Sequence, residues 1–147
     1  MKKKRKSNKI PPLHSDVIAF LTKYNLTVKK GQNLKPAKFN LADLKFRPFL
    51  FQDEVVIDGE EMRKRAIFRK GNLGLADAKN LRVQLNNDPD KCKDLQGKYI
   101  VLPDTLLRGS GDDLHVAYLY WNGVSWEFIF NWLDNDWNGR GLFACSE

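Results

Sequence analysis

Asn122-Gly123 lies between two runs in which apolar and polar residues alternate, Leu114 to Trp121 and Val124 to Leu133. Asn-Gly is the pair that best tolerates the positive φ angles of a tight hairpin turn, so the two runs are read as adjacent antiparallel strands. A two-residue loop sets Trp121 opposite Val124, Leu119 opposite Trp126 and Ala117 opposite Phe128. A four-residue loop shifts the pairs by two and leaves the faces unchanged. In either register Ala117, Leu119, Trp121, Trp126, Phe128, Phe130 and Trp132 share one face, the expected core. Val116, Tyr118, Tyr120, Glu127, Ile129 and Asn131 share the other, which is mixed and expected to be partly exposed.

The rest of the chain is arranged around this hairpin. Ser15 is a suitable N-cap for a helix running to Tyr24, with Leu13, Val17, Ile18, Leu21 and Tyr24 on one face and Asn25 at its end. Gly31 and Pro36 break the following segment. Asn40 is placed to cap a short helix over Leu41 to Phe46, stopped by Pro48. Phe49 to Phe51 and Val55 to Ile57 are strand-like, and Asp58-Gly59 reads as a hairpin turn. Beyond it, alternation from Met62 to Arg69 favours a strand, while the pairs Glu60-Lys64 and Glu61-Arg65 favour a helix, and the sequence leaves that choice open. Leu75, Ala78, Leu81 and Leu85 form a helical stripe ending at Asn86-Asn87. Tyr99 to Leu102 is a short strand closed by Pro103-Asp104. Residues 108–113 and 134–141 read as polar loops, and Leu142 to Cys145 as a last strand. This order predicts an α+β fold. A basic tail and linker over residues 1–12 precedes one small domain over residues 13–147. Its antiparallel sheet is centred on the Trp-rich hairpin, with two or three helices on one face.

Composition agrees with one domain: 147 residues, with nine Phe, four Trp and four Tyr, give enough apolar surface for a core and exclude a wholly disordered chain. No run approaches the 18 or so apolar residues of a spanning helix. Lys2 to Lys6 resemble the start of a secretory signal, but Pro11, Pro12, His14 and Asp16 interrupt what would be its apolar stretch. The expectation is an intracellular, cytoplasmic protein with Cys92 and Cys145 as reduced thiols. The same basic run matches a nuclear localisation pattern.

Charge is unevenly distributed. Residues 1–9 carry a net +6, residues 10–50 a net +5, and residues 99–147 a net −5. Such asymmetry speaks about partners. Lys2, Lys3, Lys4, Arg5 and Lys6, together with Arg63, Lys64, Arg65, Arg69 and Lys70 around Phe68, have the character of a surface that neutralises phosphates without reading bases. The first functional expectation is therefore a binding module for nucleic-acid backbone. The alternative is a protein-interaction module, an inhibitor or adaptor, working through the acidic, aromatic C-terminal third with Tyr118 and Tyr120 as its surface aromatics.

Catalytic chemistry is scarcely represented. Asp134-Asn135-Asp136-Trp137-Asn138-Gly139 begins like a calcium loop, with Asp134, Asp136 and Asn138 as alternating oxygen ligands. The twelfth position of that pattern falls on Cys145 instead of Glu. Asp112, Asp113, His115 and Glu127 are a second possible carboxylate and imidazole group near the hairpin. Gly109-Ser110-Gly111 has no helix after it to make a phosphate loop. No cofactor is expected and no complete catalytic set is legible.

Overall fold

The hairpin closes through the four-residue loop Asn122–Ser125. Trp121 pairs with Trp126, Leu119 with Phe128, Ala117 with Phe130 and His115 with Trp132. The reason is chemical. The Asn122 side chain accepts the N–H groups of Val124 and Ser125, both at 2.8 Å, and within this loop only Gly123 takes a positive φ, of 101°.

The computed structural model describes residues 13–30, 32, 34–37, 39–71, 73–90 and 92–145. In chain order the elements are helix α1 (Ser15–Lys23), strands β1 (Thr27–Val28), β2 (Lys45–Pro48) and β3 (Val56–Asp58), helices α2 (Gly59–Phe68) and α3 (Ala78–Asn87), then strands β4 (Tyr99–Val101), β5 (Leu107–Arg108), β6 (Leu114–Trp121), β7 (Trp126–Trp132), β8 (Asp136–Asn138) and β9 (Gly141–Cys145). The fold is α+β.

Strand β6 is the hub. One edge takes β7 along its length, and the other takes β5 at Leu114 and His115 and β4 from Tyr118 to Tyr120. Strand β9 then lies parallel to β4, β2 lies antiparallel to β9, and β1 lies antiparallel to β5. The sheet is mostly antiparallel, with β4–β9 as its parallel pair. Lys45 and Pro48 stand exposed on edge strand β2, a charge and a missing donor that discourage pairing with another chain.

Both sheet faces are covered. Two helices, α1 and α3, bury Val17, Phe20, Leu81 and Leu85 against Ile100, Ala117, Leu119 and Trp126. Helix α2 buries Met62 and Ala66 on the opposite face, against Val101, Val116, Phe143 and Trp137. The face expected to be mixed is therefore a second core where α2 lies, with Val116 fully buried and Tyr118 half-buried.

Several local expectations are corrected. Asp58-Gly59 starts α2: the Asp58 carboxylate accepts the Glu61 N–H at 2.9 Å, and a Cβ at position 59 would lie 1.6 Å from the Leu133 carbonyl oxygen. Position 59 thus needs glycine for close approach. The ambiguous segment 60–69 is helix because this cap starts it and Met62 and Ala66 fall four apart on the core side. It ends with Lys70 at φ +64°; the Gly71 N–H reaches Ala66 O at 2.7 Å and the Lys70 N–H reaches Ile67 O at 2.9 Å, the two bonds of a Schellman motif. His14, not Ser15, caps α1, its Nδ1 accepting the Asp16 N–H, and Phe20 rather than Ile18 faces the core. The helix expected over Leu41 to Phe46 is a single 3₁₀ turn, Leu41–Asp43, because Leu44 is already extended and leads into β2. Residues 136–138 form β8, which pairs with β3 as a second, two-stranded sheet.

Candidate functional site

Lys2, Lys3, Lys4, Arg5 and Lys6 lie outside the described residues. Without residues 1–12, which carry six cations, and without Glu147, residues 13–145 hold a net charge of only +2. The basic character of the chain is therefore mostly that of its first residues.

The second basic group sits on α2 and is divided by its hydrogen bonds. Arg65 turns inward. Its Nε donates to Glu61 at 2.8 Å, Nη1 to the Phe49 carbonyl at 2.9 Å, and Nη1 and Nη2 to the two oxygens of Glu54 at 2.6 and 2.9 Å. The guanidinium also lies 3.8 Å above the Phe51 ring. It holds the Glu54 carboxyl down at about 2. Arg63 donates through Nε to the Pro103 carbonyl at 2.7 Å. The outward cations are Lys64, which is 3.6 Å from Glu61, then Arg69 and Lys70, beside an exposed Phe68. Leu13, where the chain leaves residues 1–12, packs against the α1–α3 core, on the sheet face opposite α2.

Tyr118 and Tyr120 are brought to an open cleft of about 210 Å³ on the α2 side of the sheet, where the Tyr99 end of β4 meets the hairpin-turn end of β6. Its floor is aromatic. The Tyr99 and Tyr118 rings lie 4.9 Å apart, and each is 6.2 Å from Trp137, which is fully buried and donates its indole N–H to Leu133 O. The Tyr99 hydroxyl accepts the Asn138 N–H at 3.3 Å. Tyr120 sits directly across from Tyr99 in the sheet register, and Trp121 and Ile129 complete the apolar lining. Burial raises the pKa of both Tyr99 and Tyr118, so both phenols are neutral at pH 7.

Two cations edge this cleft, Lys98 and Arg140. Their proximity follows from the parallel pairing of β4 and β9. Tyr99 is in register with Gly141, so the residues just before them are neighbours, and the Tyr99 N–H donates to the Arg140 carbonyl at 3.0 Å. Neither side chain has an ion-pair partner among the described residues, and no carboxylate is among those lining the cleft. Glu127 is the nearest candidate in register, opposite Tyr120, but Arg82 Nη2 reaches its carboxylate oxygens at 3.2 Å from the α3 side. Sequence reading missed Lys98, Tyr99 and Arg140. The signal present was slight: each cation adjoins a glycine at the start of a strand.

The three residues named for a calcium loop are divided between a strand and a cavity wall. Asp136 and Asn138 are strand residues, paired with Asp58 and Val56, and the Asn138 Oδ1 accepts the Arg140 N–H at 2.9 Å. Asp134 instead lines a separate cavity of about 470 Å³ with Asp58, Glu60, Asp113, Leu114 and Leu133. Among the described residues, no three His, Cys, Asp or Glu side chains are grouped to hold a metal ion. His115 points to the other sheet face. It is 4 % exposed, its ring meets Phe130 and Trp132 edge-on, and its Nδ1 has no hydrogen-bond partner among the described residues. Burial lowers its pKa, against the opposing pull of Asp113 and Asp134. Cys92 and Cys145 are both buried and not joined in a disulfide. Among the described residues, no helix is long and apolar enough to cross a membrane.

Compared with protein-family models, with curated proteins and with solved structures, the chain has no significant match to any of them.

Proposed function

We propose that this chain is a small cytoplasmic binding module that holds nucleic-acid backbone by charge. One observation carries the reading: Lys98 and Arg140 flank an open aromatic cleft whose described lining contains no carboxylate. Cations without internal partners are the ones able to neutralise phosphates. Arg65, paired twice over, is not such a cation. The six positive charges of residues 1–9 add long-range attraction that speeds encounter and weakens with salt.

The test is fluorescence anisotropy of labelled oligonucleotides with the full chain between about 50 and 200 mM salt. Binding should weaken steeply as salt rises. Arg140→Glu should lower affinity and reduce the salt slope by about one unit for each phosphate it no longer neutralises. Replacing Lys2, Lys3, Lys4, Arg5 and Lys6 by serine should lower affinity without abolishing it. Affinity indifferent to salt, or abolished by the five serine substitutions, would reject a surface on the folded domain.

A protein-interaction reading, inhibitor or adaptor, draws support from one feature. A cleft of about 210 Å³ suits a single anchoring side chain beside Tyr118 and Tyr120. It gains ground if no oligonucleotide binds.

A further inference from the structure

We propose that the cleft is a stacking subsite for one unpaired base, so that the ligand is single-stranded nucleic acid and not duplex. This rests on the backbone-binding reading above and names the strand state that the same site selects.

The cleft is small. About 210 Å³ is below the roughly 300–1,000 Å³ of cavities that engulf whole small molecules. One planar group enters, and the rest of the ligand stays outside. The floor is braced. Trp137 is fully buried and anchored through its indole N–H, Tyr99 is tied to Asn138, and Tyr118 packs on both. A platform held on three sides loses little freedom when a ring settles on it, which favours stacking. The mouth adds Tyr120 and Trp121, both partly exposed.

Charge then fixes the ligand class. Lys98 and Arg140 are exposed where Tyr99 and Tyr118 are half-buried, the arrangement expected when a flat ring goes in and its phosphates remain at the edge. The neutral phenols add no repulsion. Duplexes keep their base faces stacked on one another, so only an unpaired base offers a face to this platform. No base-edge selection follows, because stacking tolerates any base.

Three probes of about 12 nucleotides separate the possibilities, a length within the range of single-strand sites. They are a single strand, its duplex, and a strand in which every base is replaced by an abasic spacer, each measured with the full chain at the same salt. The single strand should bind about tenfold more tightly than the other two. It should also quench tryptophan fluorescence, an effect diminished in Trp121→Phe. Tyr120→Ala should lower single-strand affinity about tenfold with the salt slope unchanged, and Tyr120→Phe should retain it. A circular-dichroism melt of each variant confirms that the fold is intact, and Tyr120→Phe keeps the test open if the alanine variant unfolds. Equal, salt-sensitive binding of all three probes with no effect of Tyr120→Ala overturns the stacking subsite and leaves the electrostatic reading standing. Binding of none of them overturns the electrostatic reading itself.

Discussion

Two cavities occupy opposite ends of strand β6, and they differ in kind. At the Leu114 end the walls carry Asp58, Glu60, Asp113 and Asp134. At the Tyr120 end the described walls carry Lys98, Arg140 and four aromatic rings, and no carboxylate. The ends of an eight-residue strand are roughly 23 Å apart at about 3.3 Å per residue. That is more than twice the Debye length of about 8–10 Å at ordinary salt, so each cavity presents its own field. The net −5 of residues 99–147 averages over this difference. It describes the first cavity and misdescribes the second. Local charge is decided by which strands meet and by which carboxylates are already taken, as Glu127 is by Arg82.

The largest expected effect comes from Trp137, a fully buried residue that lines neither cavity but packs between elements that do. Trp137 supports the Tyr99–Tyr118 floor, and its strand pairs with the strand that ends at Asp58. Trp137→Ala should cost about 3–5 kcal/mol in urea denaturation. A loss under about 1 kcal/mol would mean the cavities are built independently.

Charge variants sharpen the contrast directly. Arg140→Glu should weaken oligonucleotide binding about tenfold at low salt, about 1.4 kcal/mol. The double change Asp113→Asn with Asp134→Asn should alter it less than about twofold, because those carboxylates lie beyond the screening distance. Equal effects from both would erase the distinction.

Lys70 separates charge from stability. Its φ of +64° is a conformation in which a side chain is strained and glycine is not. Lys70→Gly should raise stability by about 1 kcal/mol while removing one outward cation of α2. A variant that melts lower would show that contacts of the Lys70 side chain outweigh the backbone strain.

The smallest effect concerns His115, near the acidic cavity but facing the other core. Its pKa is depressed by burial from 6.5, so the folded chain resists the proton that the unfolded chain accepts. Full stability is present above pH 6.5, and it declines as pH falls below that value toward the lower folded pKa. The melting temperature should follow, and His115→Phe should flatten the slope between about pH 7.5 and 5.5. An unchanged slope would assign the dependence to other groups.

Much of the fold was legible in the residues. Period-two alternation around Asn122-Gly123 marks β6 and β7, because a strand has only two faces and one must be apolar. The stripe Leu75, Ala78, Leu81 and Leu85 marks α3 for the corresponding helical reason. The failures have a common physical origin. Asp58-Gly59 has the same letters as a hairpin turn, yet its role follows from Leu133 pressing on position 59 and from the Glu61 N–H needing an acceptor. Residues 134–141 look like a loop until β3 offers residues 136–138 a partner strand. Basic residues 63, 65, 69 and 70 look alike in a charge count, but Glu54 and the Phe49 carbonyl withdraw Arg65 from the surface.

The same division holds at the candidate site. Sequence alone determined that Tyr118 and Tyr120 share a face away from the hairpin's main core, since alternation is a local property of extended chain. It also determined that most of the net charge lies in the first nine residues. Only the tertiary structure decided that Tyr99 and Arg140 would join those tyrosines. Residues 98 and 140 are far apart in the chain, and they become neighbours because β9 returns parallel to β4 with Gly141 beside Tyr99. A parallel pairing leaves no turn signal between its partners, so only the packed sheet brings them together.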